Sequence, residues 1–340
     1  MAKLSDGKPA VMKSVFKLIR LPNLVIIAAT QYLMRHGVIS PLLDRYDHAV
    51  ASASFAGEPG FELQLPEGHF LLLILSTILI TAAGYVINDY FDTRIDMLNR
   101  PGSVVVGTVI PRRLAMLIHM VLNVVGVGMG VYLSFYVGKP LWSIVFFLVA
   151  GMLWFYSTTY KRQFLIGNLL VAVLTALVPF MVALFEIPLL NQAYAPVLRQ
   201  WNASFDLLVY WILGFSFFAF ITTLTREIIK DVEDFEGDRT YGHHSLPIVM
   251  GVTGTRIVIT VLIAITMAAL GWVYVRFLRD TLTLVYMIVL VSLPLVFTGI
   301  TVWIARTPEK FHLASIMMKG VMAAGVLYAI VVRYIIYSMF

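Results

Sequence analysis

Two acidic strings in this chain share a spacing that suits metal-assisted phosphate chemistry. The first reads Asn88-Asp89-Tyr90-Phe91-Asp92-Thr93-Arg94-Ile95-Asp96 and the second Asp231-Val232-Glu233-Asp234-Phe235-Glu236-Gly237-Asp238. In each, three aspartates fall at i, i+3 and i+7, which on a helix places them along one face. Three carboxylates so arranged repel one another, and at the end of a membrane span they are poorly hydrated, so a stable fold calls for a cation among them. The donors are oxygens and the chain has no cysteine. Such a set suits Mg²⁺ or a similar hard ion, which usually shares its coordination with substrate phosphates.

The elements that must position these acids are membrane helices. Of 340 residues, 60% are hydrophobic and 13% charged, with a mean hydropathy of +0.87, far from the roughly 25% charged fraction of a soluble domain. Apolar runs of spanning length, about 20 residues, are predicted at 16–34, 69–91, 112–135, 140–158, 165–186, 206–225, 255–278, 281–305 and 315–338. The expected fold is therefore all-α: a polytopic membrane protein of nine transmembrane helices around a central cavity, with residues 1–340 forming a single domain. The polar stretch at about 35–68 is expected to be an outer loop insertion, partly structured and carrying a short interfacial helix.

Nine spans put the termini on opposite sides. With the N-terminus inside, the cytoplasmic segments hold most of the lysines and arginines, as the positive-inside rule requires, and both aspartate strings are cytoplasmic. This topology accounts for the net charge of +6, since the basic residues are spread over short loops and form no stripe of the kind that binds nucleic acid. The first apolar run lacks a small-residue cleavage site and reads as a retained span. Gly126 and Gly130 form a GxxxG in the third span, a signature of close helix packing.

With the motifs in hand, the chain resembles the UbiA superfamily of intramembrane prenyltransferases. The family's first motif, N-D-x-x-D-x-x-x-D after its second helix, is matched by Asn88, Asp89, Asp92 and Asp96. Its second, D-x-x-x-D after the sixth helix, is matched by Asp234 and Asp238, with Asp231 one turn upstream. The resemblance implies a fold of nine helices, a polyprenyl diphosphate donor, a lipophilic acceptor drawn from the lipid bilayer, and Mg²⁺ as cofactor. One ion is then expected on Asn88, Asp89, Asp92 and Asp96 and another on Asp234 and Asp238, with Asp231 a further metal candidate one turn upstream and pyrophosphate between the ions as it leaves an allylic cation. Asp92, Asp234 and Lys161 are the expected catalytic residues.

Basic residues complete the expected phosphate site. Lys161 and Arg162, in Tyr156-Ser-Thr-Thr-Tyr160-Lys161-Arg162, resemble the family's Tyr/Lys segment after the fourth span, and Arg20 and Asn23 resemble its early R-x-x-N segment. Arg94 within the first motif, Arg100 just beyond it and Lys230 beside the second are further substrate-binding candidates. His243 and His244 occupy variable positions of a family loop and are read as loop residues. The string Asn88 to Pro101 is similar to the motif of members that use geranylgeranylglyceryl phosphate in ether lipid synthesis, although Gly102-Ser-Val-Val-Val-Gly107 departs from their usual continuation. The acceptor is thus read as geranylgeranylglyceryl phosphate, with an aromatic quinone precursor, 4-hydroxybenzoate or 1,4-dihydroxy-2-naphthoate, as the alternative. A cation-coupled transporter is the reading from another class; it would place acids near mid-span, away from lysine and arginine.

Overall fold

Lipid offers the backbone no hydrogen-bond partners, so an apolar chain crosses it as helices that satisfy their own N–H and C=O groups. A computed structural model describes residues 7–51, 60–99, 104–200 and 202–338, and within them the regular structure is helical. Eight helices among the described residues are long and apolar enough to cross a membrane: Glu67–Thr93, Arg112–Tyr136, Pro140–Thr158, Ile166–Ala193, Asp206–Glu233, Leu246–Leu278, Thr281–Ile304 and Pro308–Ser338. They match the second to ninth predicted spans.

The chain divides into two compact units. The first comprises Met1–Ala29 and Pro66–Lys161 and contains α1 (Gly7–Leu18), the start of α2 (Leu21–Leu33), α4 (Glu67–Asn99), α5 (Arg112–Tyr136) and α6 (Ser143–Thr158). Here α4, α5 and α6 pack against one another. The glycines of the GxxxG sit at the closest approaches: a Cβ on Gly126 would lie 2.9 Å from Ile80, and one on Gly130 would lie 2.4 Å from the Phe146 ring. Ser76 donates to the Gly126 carbonyl at 2.7 Å, a polar tie between α4 and α5. Gly130→Val is expected to cost about 1–3 kcal/mol by overpacking. Gly128→Val, which meets nothing within 4 Å, should leave the melting temperature in detergent unchanged.

The second unit comprises Thr30–Leu65 and Arg162–Phe340. It contains the rest of α2, α3 (Ser40–Ala51), α7 (Ile166–Ala193), α8 (Ala195–Gln200), α9 (Asp206–Glu233), α10 (Phe235–Thr240), α11 (Leu246–Val273), α12 (Thr281–Tyr286), α13 (Leu293–Ile304) and α14 (Pro308–Ser338). Helix α9 is its centre, packing against α7, α11 and α14. Ile228, Ile229 and Val232 of α9 share a buried cluster with Ile259, Leu295, Phe311, Ala314 and Met318.

The first predicted span is the one that differs. Residues 16–34 are not one helix: the chain breaks after Leu18, with Arg20 in the left-handed region at φ 52°. Pro22 cannot donate to the Leu18 carbonyl and its ring would clash there, so a helix can restart at Leu21 but cannot run through. From Leu21 the helix continues past Leu33 through a π turn at Met34–Ile39 and into α3, well inside the stretch expected to be loop. Arg35 makes this continuation stable. Its side chain is 1% exposed and its Nε donates to Glu186 Oε2 of α7 at 3.0 Å, while its Nη2 contacts the Leu65 carbonyl. Glu186, itself 0% exposed, accepts the backbone N–H groups of Gln64 and Leu65 through Oε1 at 2.5 and 2.9 Å. Tyr194 completes the clasp, accepting from the Glu62 N–H at 2.8 Å and packing edge-on to Phe61. The stretch expected as a partly structured loop with a short helix thus contains α3 and an irregular strap, 60–65, anchored on α7; residues 52–59 lie outside the described residues.

Candidate active site

In the first unit the acids sit at the C-terminal end of α4, on a helix kept in place by the bulky residues of the motif itself. Tyr90 lies under the Arg112 guanidinium at 4.1 Å, and Phe91 meets Trp154 of α6 edge-on at 5.8 Å. Beyond the motif the chain turns back tightly, with Gly107 at φ 85° donating to the Ile110 carbonyl at 2.8 Å. Val105, Val106 and Ile110 are buried with Val86 and Leu18. The departure from the family string after Pro101 therefore ends in an apolar turn that packs on the motif helix.

The expected first-motif residues are brought together with the expected cations. Lys161 Nζ contacts Asp92 Oδ1, and both side chains are nearly buried. The other oxygen of Asp92 accepts from Asn88 Nδ2 at 2.9 Å. Because the Asn88 amide gives its nitrogen to Asp92, its oxygen faces away and can serve as a donor to a metal. Arg20 Nη2 lies 3.2 Å from Asp89 Oδ1, and the same guanidinium stacks 4.8 Å from the centre of the Tyr85 ring. Asn23 Nδ2 donates to the Tyr85 hydroxyl at 3.2 Å. The break between α1 and α2 is what turns Arg20 toward this end of α4, and Tyr85, one turn before Asp89, is a component that sequence reasoning did not single out. The side chains of Arg94 and Asp96, and all of Arg100, lie outside the described residues.

In the second unit the acids straddle the end of α9. Asp231 Oδ2 accepts from Asn168 Nδ2 at 2.8 Å, and Asn168 is a nearly buried residue in the first turn of α7. Asp238 Oδ1 lies 2.9 Å from Nδ1 of His243. That ring is buried, so the residue read as part of a loop is packed against the motif. Asp234 caps α9, and Lys230 lies one turn before it. The Arg162 side chain is exposed, and its carbonyl accepts the His244 N–H at 2.9 Å. Asn168 approaches Asp231 from 63 positions away, whereas His243 lies five residues beyond Asp238 and folds back onto it.

The donor chemistry fits a hard divalent cation: carboxylates and a carboxamide, with no thiolate. Among the described residues, no three acidic or histidine side chains already converge as a metal cluster; Asp89 and Asp92 are turned onto Arg20 and Lys161.

Known proteins carry the same pattern. The model of the UbiA prenyltransferase family matches residues 49–323. A digeranylgeranylglyceryl phosphate synthase from Methanosphaera stadtmanae is 30% identical over 265 residues, which cover 77% of this chain and 87% of that protein. Another from Methanoregula boonei is 34% identical over 199 residues, 58% of this chain and 63% of its own length. A solved structure of a digeranylgeranylglyceryl phosphate synthase superposes with a TM-score of 0.62 at 21% identity, covering 94% of this chain and 99% of that one. A UbiA homolog from Archaeoglobus fulgidus, bound to GPP and Mg²⁺, does so with a TM-score of 0.55 at 16% identity, covering 94% and 99%. By fold, by motif and by the extent of the match, this chain is a multi-pass membrane enzyme that belongs to the UbiA prenyltransferase family.

Proposed function

We propose that the protein is a Mg²⁺-dependent prenyltransferase, acting as a single domain, that moves a long prenyl group from an allylic diphosphate to geranylgeranylglyceryl phosphate. The observation that carries the reading is the pairing of the first-motif carboxylates with Lys161 and Arg20 at the end of an apolar helix. Such an arrangement suits a polyanionic head on a hydrophobic tail. The similarity to digeranylgeranylglyceryl phosphate synthases supports the acceptor. The N-terminus and both acidic sets are read as cytoplasmic, in keeping with the basic residues of the loops.

Asn88, Asp89, Asp92 and Asp96 would hold one Mg²⁺, and Asp231, Asp234 and Asp238 another. When bound, the metal neutralises charge that grows on the departing pyrophosphate. Lys161, held at Asp92, and Arg20, at Asp89, would donate their N–H groups to the diphosphate oxygens of the donor. Arg94, Arg100 and Arg162 add positive charge for the donor. Asn23 fixes the Tyr85 hydroxyl, and with it the ring on which Arg20 rests. Asn168 fixes the orientation of Asp231. The acceptor hydroxyl oxygen then bonds to the prenyl C1 as the bond from C1 to the diphosphate breaks, and the hydroxyl proton ends on pyrophosphate.

Purified protein incubated with Mg²⁺, geranylgeranyl diphosphate and geranylgeranylglyceryl phosphate is expected to yield a diether phosphate by mass spectrometry, and none once EDTA is added. Failure with that acceptor, together with a prenylated product from 4-hydroxybenzoate or 1,4-dihydroxy-2-naphthoate, would transfer the protein to quinone synthesis.

A further inference from the structure

Below the second acidic set, α9 and α14 bring together basic side chains that surface anchoring does not explain. Contacts at two levels fix the register of these helices. Glu233 Oε1 of α9 meets His312 Nδ1 of α14 at 3.0 Å, and the ring of Phe215 lies 6.4 Å from that of Tyr328. Moving back along α9 corresponds to moving forward along α14, so the pair is antiparallel. Seven residues make two turns and return to within about 20° of the same face. Arg226, seven residues before Glu233, and Lys319, seven after His312, therefore lie toward each other, about 10 Å along the helices from the Glu233–His312 contact. Lys230, one turn from Arg226, shares its face of α9.

The balance of charge at this level is positive. Lys319 is within electrostatic reach of Arg226, Lys230, Glu227 and Glu233. Both acids are engaged, Glu227 by Arg226 and Glu233 by His312. Among the described residues Lys230 and Lys319 make no ion pair, and the buried Nε of Arg226 has no hydrogen-bond partner. Lys319 is exposed and Arg226 and Lys230 are half-buried, at the edge of the apolar cluster that Phe311, Ala314, Met318 and Val321 of α14 form with Ile228, Ile229 and Val232 of α9. Three cations set against Glu227 and Glu233 leave a surplus of positive charge beside an apolar region, where an anion is attracted more strongly than in water.

We propose that Arg226, Lys230 and Lys319 form a second anion site, which takes the phosphomonoester of the lipid acceptor. The inference rests on the acceptor reading above and joins Lys230, one of the substrate-binding candidates, to Arg226 and Lys319, which the sequence did not single out. Arg20 lies at Asp89, where it serves the donor, whereas this trio lies beneath the second acidic set. A phosphomonoester near those carboxylates would be repelled without cations of its own.

The test is equilibrium binding of radiolabelled geranylgeranylglyceryl phosphate to the full-length protein in detergent, without metal or donor, beside geranylgeranylglycerol, which lacks the phosphate. The wild type is expected to prefer the phosphate lipid. Lys319→Met should weaken its binding about 10- to 100-fold, Lys319→Arg should restore most of it, and binding of the alcohol should not change. In turnover, Lys319→Met should raise the KM for this acceptor and leave the KM for geranylgeranyl diphosphate near the wild-type value. Equal wild-type binding of phosphate and alcohol would overturn the site whatever the variants do, as would undiminished phosphate-lipid binding by folded Lys319→Met. Binding that depends on Lys319, in a protein that prenylates only an aromatic acceptor, would keep the site and discard the acceptor reading. Normal turnover of the phosphate acceptor with an unchanged KM in Lys319→Met would do the reverse.

Discussion

Asp92→Asn will reduce prenyl transfer by roughly three orders of magnitude while leaving the protein folded. The substitution keeps the shape of the side chain and removes its charge. Both oxygens of Asp92 are in use, one by Lys161 and the other by Asn88, so the residue joins the expected ligand set to the expected diphosphate contact. An amide in its place is a weaker metal donor and presents a nitrogen to one of two groups that need an oxygen. Losing one preorganised electrostatic partner of a developing anion costs about 3–4 kcal/mol in the rate. The measurement is transfer of radiolabelled prenyl donor at saturating Mg²⁺, alongside thermal unfolding. Retention of more than a tenth of the wild-type rate would remove Asp92 from the catalytic set.

Glu186→Ala is expected to have the largest effect on stability, about 3–5 kcal/mol. The change strands the Arg35 guanidinium, which is 1% exposed, and strips the Gln64 and Leu65 N–H groups of their acceptor. The double substitution Arg35→Met with Glu186→Leu should be much milder, because it removes both charges and leaves no buried ion without a partner. Thermal melts in detergent distinguish the cases. A double variant no better than Glu186→Ala would mean that the stability lies in the backbone contacts to the strap and not in the charge pair.

What could be read from the sequence followed the range of the interaction. The second to ninth spans were visible because an apolar run is a local property, and the first motif was visible because its register on one helix is local as well. The residue beside each acid was visible only where a segment of the sequence carried it, as with Arg20 and Lys161. Asn168 reaches Asp231 across 63 positions, and His243 looked like an ordinary loop residue because its burial comes from packing. The first span was misjudged for the same reason. A charge at Arg35 reads locally as the end of a membrane segment, and the carboxylate that allows the helix to continue lies 151 residues further on. Pro22, by contrast, was a local signal of the break before Leu21.

That separation of 151 residues also has a meaning in time. A ribosome adding about 5–20 residues per second takes roughly 8–30 s to pass from Arg35 to Glu186. Through that interval the arginine lacks the carboxylate that it meets in the folded protein. The contacts of Arg35 and of the strap at 60–65 with Glu186 can therefore form only after α7 has been made. The order of synthesis makes closure of this clasp a late event in the birth of the protein, set by the arrival of α7 and not by the helix that carries the arginine.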